Sequence, residues 1–357
     1  MITVVVGGQF GSEGKGKVAG MLAQGADLSV RGGGPNAGHV FEGPNGAFHV
    51  TRSLPSGACY RHLRMAIGPG AVLQPDVLCE EIARFGLGPD RLVIDPRASL
   101  VTREDMRREG HVDDGNSPEG SLRDRIGSTA EGTGEALARR ILDRGRRDVP
   151  LAGDEPRFQR YLGDVPSVVD EARTEGRNIL LEGTQGFGLS SYYGYYPYVT
   201  SRDTSPAVVC SEVGVAPHLV NEVVMVVRTF PIRVPSVGSG TSGPMGRETT
   251  WEEVTEFSGS PEPIVEQTTV SKRTRRVALF DPLEVRRAVT VCQPTRLALT
   301  FVDYLNHEDR GVCEWGRLST KTRDWIRNNE SLVGRPFDIL STGPRVADTV
   351  WRRSFPW

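Results

Sequence analysis

The chain is 357 residues long, 38% hydrophobic and 25% charged, with a formal net charge of −2. That balance describes a globular protein and argues against a nucleic-acid or membrane-surface binder. No apolar run approaches the length of a membrane span, and the first residues run straight into a strand pattern with no signal peptide, so a cytoplasmic protein is expected. The five cysteines (Cys59, Cys79, Cys210, Cys292 and Cys313) are scattered, odd in number and without a C-x-x-C pair. They read as reduced thiols, not as a disulfide frame or a metal site.

In chain order, Val4-Val5-Val6 reads as a buried strand, and Gly7-Gly8-Gln9-Phe10-Gly11-Ser12-Glu13-Gly14-Lys15-Gly16-Lys17 as a glycine-rich turn. The run Val18 to Ala23 then starts a helix. Strand, glycine turn and helix are the context in which backbone N–H groups, a helix N-terminus and a lysine gather round a phosphate. Gly11-x-x-x-x-Gly16-Lys17 has the P-loop spacing, but Val18 stands where a Ser or Thr would hold Mg²⁺. The bland alternative is a strand-to-helix turn with solvated lysines. Asp27 to Val30 predicts a second strand, running into Gly32-Gly33-Gly34-Pro35-Asn36-Ala37-Gly38-His39-Val40. A histidine after such a turn is expected to be held out into a site.

Residues 41–57 are polar, with a Gly43-Pro44-Asn45-Gly46 turn. Asp76 to Phe85 has helical spacing, Arg91 to Ile94 is a buried strand, and Asp113 to Arg125 is expected to be loop. Gly127-Ser128-Thr129-Ala130-Glu131-Gly132-Thr133-Gly134, before the helix Glu135 to Arg140, is a third candidate phosphate loop. Asn178 to Glu182 is a strand, followed by Gly183-Thr184-Gln185-Gly186 and by Tyr195-Tyr196-Pro197-Tyr198-Val199-Thr200-Ser201. Asn221 to Ile232 predicts a valine-rich strand and Trp251 to Phe257 a short helix. Thr268 to Arg276 is the densest basic run, by default a solvated face or a polyanion patch. Asp281-Pro282 caps a helix, Leu297 to Val302 is a strand leading to Asp303, and Ser341-Thr342-Gly343-Pro344 is a turn.

GGQFGSEGKGKV, GGGPNAGH, EGTQG, YPYVTS, the basic run and STGP, in that order, resemble the adenylosuccinate synthetase family, which couples GTP, IMP and aspartate. The resemblance runs from residue 2 to about 349. It implies one α/β domain over 1–357, with a P-loop-NTPase-like, mostly parallel central sheet flanked by helices, inserted loops and small subdomains. It implies Mg²⁺ as cofactor, held by Ser12 and the Gly38 carbonyl, and Ser12, Lys15, His39 and Gln185 as the catalytic set. The NTP would meet Gly11, Ser12, Glu13, Gly14, Lys15, Gly16, Lys17, Gly38, His39, Val40, Phe301, Asp303, Gly343 and Pro344. The purine monophosphate would meet Ser12, Asn36, Ser128, Thr129, Arg139, Gln185 and Thr200, with Thr129 and Arg139 aligned across a segment about four residues shorter than the family's. Arg139 would reach across a homodimer interface to the partner's site. The aspartate carboxylates would meet Thr268, Thr269, Arg273 and Arg275, in a loop roughly two residues longer than the family's.

Two positions depart from the family. Ser12 stands where relatives have the aspartate that takes the purine N1 proton and ligates Mg²⁺. Phe301 stands where the guanine-reading T-K-L-D segment has lysine. A serine is a weak base, but it leaves room beside N1, where guanine carries its 2-amino group. The chain therefore resembles the phage branch, 2-aminodeoxyadenylosuccinate synthetase, which implies dGMP, L-aspartate and ATP or dATP as substrates. Ordinary turnover of IMP and a catalytically silent nucleotide-binding homologue are the alternatives.

Overall fold

The structure is a computed structural model that describes residues 1–110, 120–146, 148–235, 240–268 and 273–357. Nine strands form the central sheet: β1 (Ile2–Gly7), β2 (Leu28–Arg31), β3 (Arg64–Ile67), β4 (Leu92–Ile94), β5 (Ile179–Glu182), β6 (Glu222–Arg228), β7 (Arg296–Thr300), β8 (Ile339–Ser341) and β9 (Thr349–Trp351). Their order is β9-β8-β7-β6-β1-β5-β2-β3-β4, and every neighbouring pair is parallel except β8 with β9. β1 lies between β5 and β6, with Val4 level with Leu181 on one side and Val223 on the other.

Strand alternation sorts the core into two layers. Ile2, Val4 and Val6 of β1 face one hydrophobic cluster, with Leu181, Met225 and Val227. Val5 faces the other, with Leu180, Val224 and Val226. A parallel sheet needs cover on both faces, which is why its strands read as unbroken apolar runs. The helices supply that cover, and the expected α/β architecture stands.

Four boundaries differ from expectation. Leu122–Ile126 is a short helix capped by Ser121, inside the segment expected to be loop; residues 111–119 of that segment lie outside the described residues. The valine-rich strand stops at Arg228, and Ile232–Arg233 joins a separate three-stranded antiparallel sheet with Glu248–Thr249 and Arg276–Ala278. The strand expected to run to Val302 ends at Thr300, because Phe301 takes a left-handed backbone with φ 58°. The polar stretch after His39 forms a hairpin of His39–Glu42 with Phe48–Thr51.

In open α/β sheets, ligands bind beyond the carboxyl ends of the strands. Here those ends carry the glycine turn after β1, the His39 loop after β2, Gln185 after β5, the basic run after β6, Phe301 and Asp303 after β7 and Gly343 after β8.

Candidate functional site

The turn after β1 leads into helix α1 (Lys15–Leu22), whose N-cap Gly14 has φ 85°. Its anion-binding N–H groups already have a partner from the chain. Glu13 is fully buried, and its carboxylate accepts from the backbone N–H of Gln9 (3.1 Å) and Gly11 (2.8 Å) and from Lys15 Nζ (2.5 Å). Gly186 leaves the space that this carboxylate fills. The second lysine is elsewhere: Lys17 Nζ donates to Ser341 Oγ (2.6 Å), Gly343 O (2.7 Å) and Asp348 O (3.0 Å). Burial lowers its pKa to about 8, against the pull of Asp348 and Asp303. Lys15 is therefore the lysine beside the turn, and Lys17 is tied to the segment after β8.

Ser12 is exposed, on a left-handed backbone with φ 56°. A Cβ on Gly11 would lie 3.8 Å from Gln185 Cα, so the turns after β1 and β5 touch. Gln185 is buried and also left-handed, with its Oε1 accepting from Thr184 Oγ1 at 3.4 Å.

His39 is tied to Glu182 at the end of β5. Its Nδ1 meets Glu182 Oε1, and the same carboxylate accepts from Ser56 N (2.6 Å), Ser56 Oγ (2.8 Å) and Arg31 Nη1 (3.4 Å). Burial and the Arg31 charge push the His39 pKa down to about 4, against the attraction of Glu182. Burial alone would raise Glu182, but His39, Arg31 and the Ser56 N–H outweigh it and hold it at about 2. A carboxylate only accepts, so the neutral imidazole carries its proton on Nδ1 and leaves Nε2 as a bare acceptor.

The loop before His39 is glycine-rich because other side chains press on it. A Cβ on Gly33 would meet Thr184 Oγ1 at 2.6 Å, and one on Gly34 would meet Thr133 Oγ1 and Arg202 Nη2, both at 2.9 Å. Ser201 lies against Gly134, so the loops 32–38, 127–134 and 198–204 converge. Asn36 is half-buried, and neither its Oδ1 nor Thr133 Oγ1 has a hydrogen-bond partner among the described residues. Ser128 Oγ accepts from Ala130 N (3.1 Å), Thr129 is exposed, and Thr200 N donates to Leu189 O (2.8 Å).

Two of the expected phosphate-binding groups have partners within the chain. The N-terminus of the helix Thr133–Leu142, expected to receive a phosphate, is capped by Glu109, which accepts from Gly132 N (2.9 Å) and Gly134 N (2.7 Å). Arg139, expected to reach outward, turns inward: its Nη2 meets Asp105 at 3.0 Å and Leu100 O at 2.7 Å.

The described ends of the basic run, Thr268 and Arg273, bracket it by pairing with each other. Thr268 N donates to Arg273 O (2.9 Å) and Thr268 Oγ1 accepts from Arg273 N (3.1 Å); Thr269 lies outside the described residues. Arg275 is half-buried, with its Nε on Gln267 O at 3.3 Å, while Arg276 leaves the bracket for Glu248. After β7, burial raises the Asp303 carboxyl to about 6, against Arg310 and Lys17. Ser341, Gly343 and the Asp303 charge thus gather round the Lys17 ammonium, with Pro344 in the same turn and Phe301 packed on Tyr304 at 5.1 Å between ring centroids.

Among the described residues no group of three or more His, Cys, Asp or Glu is set to hold a metal ion. Ser12 and Gly38 are exposed, and a Cβ on Gly38 would meet only Val50 at 3.6 Å. One hydroxyl and one carbonyl suit Mg²⁺, which takes few protein ligands and keeps waters and substrate phosphates for the rest. The buried Glu182, Arg31, Glu109 and Arg202 and the half-buried Glu266 were not marked by the sequence. Arg31 and Arg228, each closing an apolar strand, were the available signal, because a charge there must be paired.

Comparison with known proteins places this geometry. The family described as adenylosuccinate synthetase matches residues 4–157 and 151–313. An adenylosuccinate synthetase of Archaeoglobus fulgidus is 38% identical over 352 residues, covering 98% of this chain and 97% of its own. One from Methanocaldococcus jannaschii is 37% identical over 357 residues, covering 98% and 96%. Among solved structures, the cyanophage S-2L succinoaminodeoxyadenylate synthetase, bound to dGMP and to dATP as an energy donor, superposes with a TM-score of 0.81 at 26% identity, covering 99% of this chain and 95% of that one. A fully ligated adenylosuccinate synthetase from Plasmodium falciparum superposes with a TM-score of 0.81 at 20% identity, over 98% and 99% of the two chains, and supports the fold alone.

Proposed function

The chain belongs to the adenylosuccinate synthetase family, ligases that join aspartate to a purine nucleotide, and we propose that its nucleotide is dGMP and its product 2-amino-2′-deoxyadenylosuccinate. The observation that carries this reading is Ser12. The family pattern that the turn resembles has an aspartate there, whereas this chain presents a short, uncharged side chain at an exposed point of the turn beside Gln185. A carboxylate at that point would fill the space that a purine 2-amino group needs; the shorter hydroxyl leaves room and can accept a hydrogen bond from it. The cyanophage enzyme that binds dGMP shares the fold over nearly the whole chain.

In this reading, the γ-phosphoryl group of the donor passes to the purine 6-oxygen. The purine N1 proton passes to water as O6 gains the phosphoryl group; the neutral aspartate amine then attacks C6, the C6–O6 bond breaks, inorganic phosphate departs with O6, and the amine nitrogen gives up a proton to water. Lys15 and the glycine turn meet the transferring phosphoryl group, where fixed positive charge lowers the barrier. Mg²⁺, held by Ser12, Gly38 and the phosphates, would neutralise charge on the phosphate oxygens. His39 faces the 6-oxygen as a hydrogen-bond donor only after Nε2 gains a proton, and arriving phosphates raise its pKa toward that state. Gln185 orients the purine edge. Asn36, Ser128, Thr129 and Thr200 surround the 5′-phosphate, joined by Arg139 of a second copy, and Thr268, Thr269, Arg273 and Arg275 hold the aspartate carboxylates.

For the donor we propose ATP or dATP. Phe301 offers a stacking surface with no preference for guanine, although Asp303 keeps one polar contact.

A second reading, turnover of IMP, draws on the archaeal relatives at 37–38% identity, which carry the ordinary enzyme's name. Phosphate release with dGMP or IMP, each with aspartate and with ATP, dATP or GTP, separates the two. Faster turnover of IMP than of dGMP overturns the first reading, and activity confined to GTP overturns the donor assignment. Release that does not require aspartate with either purine excludes both.

A further inference from the structure

Arg228 ends β6 and is fully buried, yet it belongs to none of the binding groups described above. Its backbone is clamped to the turn after β1: Arg228 N donates to Gln9 Oε1 at 2.8 Å, and Gln9 Nε2 donates to Arg228 O at 3.2 Å. Its guanidinium makes contacts in three directions. Nη1 donates to the Ser12 carbonyl at 3.0 Å. Nη2 and Nη1 form a forked pair with Glu266, the second contact at 3.2 Å. The carbon of the guanidinium lies 3.8 Å from the centroid of the Phe301 ring. Glu266 also accepts from Tyr304 Oη at 3.3 Å, and its backbone carbonyl accepts from Arg275 N at 2.9 Å.

Phe301 needs such a support. It sits on a left-handed backbone with φ 58°, pinned by Thr229 Oγ1 donating to its carbonyl at 2.7 Å. Within its own turn only the tilted Tyr304 ring packs on it, among the described residues. Arg228 covers one face, Tyr304 packs at 58° to it, and the ring stays half-buried. A flat cation on one face of an aromatic ring holds the plane and polarises it. A base that stacks on this ring therefore meets a surface whose tilt is set from behind.

We infer that Arg228, held by Glu266, is a positioning residue for the donor nucleotide: it fixes Phe301 as a platform for the donor base and ties that platform to the Ser12 carbonyl of the phosphate turn. The inference rests on the reading of Phe301 as part of the donor pocket. It adds that donor affinity depends on a side chain that touches no substrate.

The test is equilibrium binding of MgATP to the full chain by titration calorimetry, without turnover, alongside the melting temperature of each variant. Arg228→Met is expected to weaken MgATP about tenfold, and Arg228→Lys, which keeps a cation over the ring, to restore part of that loss. Glu266→Gln weakens binding in the same direction. In a double-mutant cycle with Phe301→Leu, the loss from Arg228→Met largely disappears, because its route of action is already gone. Additive losses in that cycle overturn the inference, as does an unchanged affinity in Arg228→Met. Full affinity in Phe301→Leu alone, with Arg228 intact, overturns the donor-pocket reading as well. An unaltered chain that binds no MgATP overturns that reading first and this inference with it.

Discussion

At Ser12 two constraints meet. A residue other than glycine in the left-handed region costs about 1–2 kcal/mol, and Asp tolerates it better than most. Ser12→Asp is therefore expected to fold normally, lose dGMP turnover and gain IMP turnover, read as paired phosphate-release rates. Equal loss on both purines would remove Ser12 from substrate choice. His39 gives a second residue-scale prediction. Its pKa falls from 6.5 to about 4 on folding, so the unfolded chain binds the extra proton between those values. Stability is then lost as pH falls from about 6.5 toward 4. Glu182, held at about 2 in place of 4.5, extends the loss to lower pH. His39→Asn keeps a donor toward Glu182 and should flatten the melting-temperature profile between pH 6.5 and 4. An equally steep profile in that variant would assign the acid lability elsewhere. His39 was legible in sequence as a site residue; its carboxylate partner was not, since Glu182 closes a strand far along the chain.

At the scale of elements, the glycines of α1 show how a motif can be recognised while its reasons stay hidden. Gly16 fits the phosphate-loop spacing, but a Cβ there would lie 2.5 Å from Val40 O and 2.6 Å from Val40 N. One turn on, a Cβ on Gly20 would lie 2.5 Å from Phe41 Cβ. The helix is glycine-lined so that the hairpin carrying His39 can rest directly on it. Gly20→Ala should therefore cost about 1–3 kcal/mol as overpacking and loosen His39. Denaturant melts and the nucleotide KM measure this, and an unchanged midpoint would show that the hairpin adapts. The anion nest after β1 was equally legible as a nest. That Glu13 sits in it follows only from the fold, because the N–H groups of Gln9 and Gly11 and the Lys15 ammonium converge on its carboxylate.

At the scale of the molecule, the helix bearing Arg139 ends in Ile141 and Leu142, which are 60% and 63% exposed, and Tyr192 and Tyr196 are 79% and 82% exposed. Exposed apolar side chains of this size are suited to a partner surface. The protein is expected to sediment as a homodimer with nucleotide bound, and Arg139→Ala to raise the KM for the purine monophosphate. That gain of contact requires Arg139 to leave Asp105, so a strictly monomeric active enzyme would show that the pairing inside the protomer is its final state. The sequence alone determined the α/β class, the family and the loops that carry chemistry, because strand alternation, glycine turns and motif order are local properties of the chain. It did not determine which lysine serves which pocket, what occupies each helix N-terminus, or what orients His39 and Phe301. Those depend on charges brought together across the sheet from residues as distant as Ser12, Arg228 and Glu266, and burial forces each such charge to find a partner that spacing along the chain does not reveal.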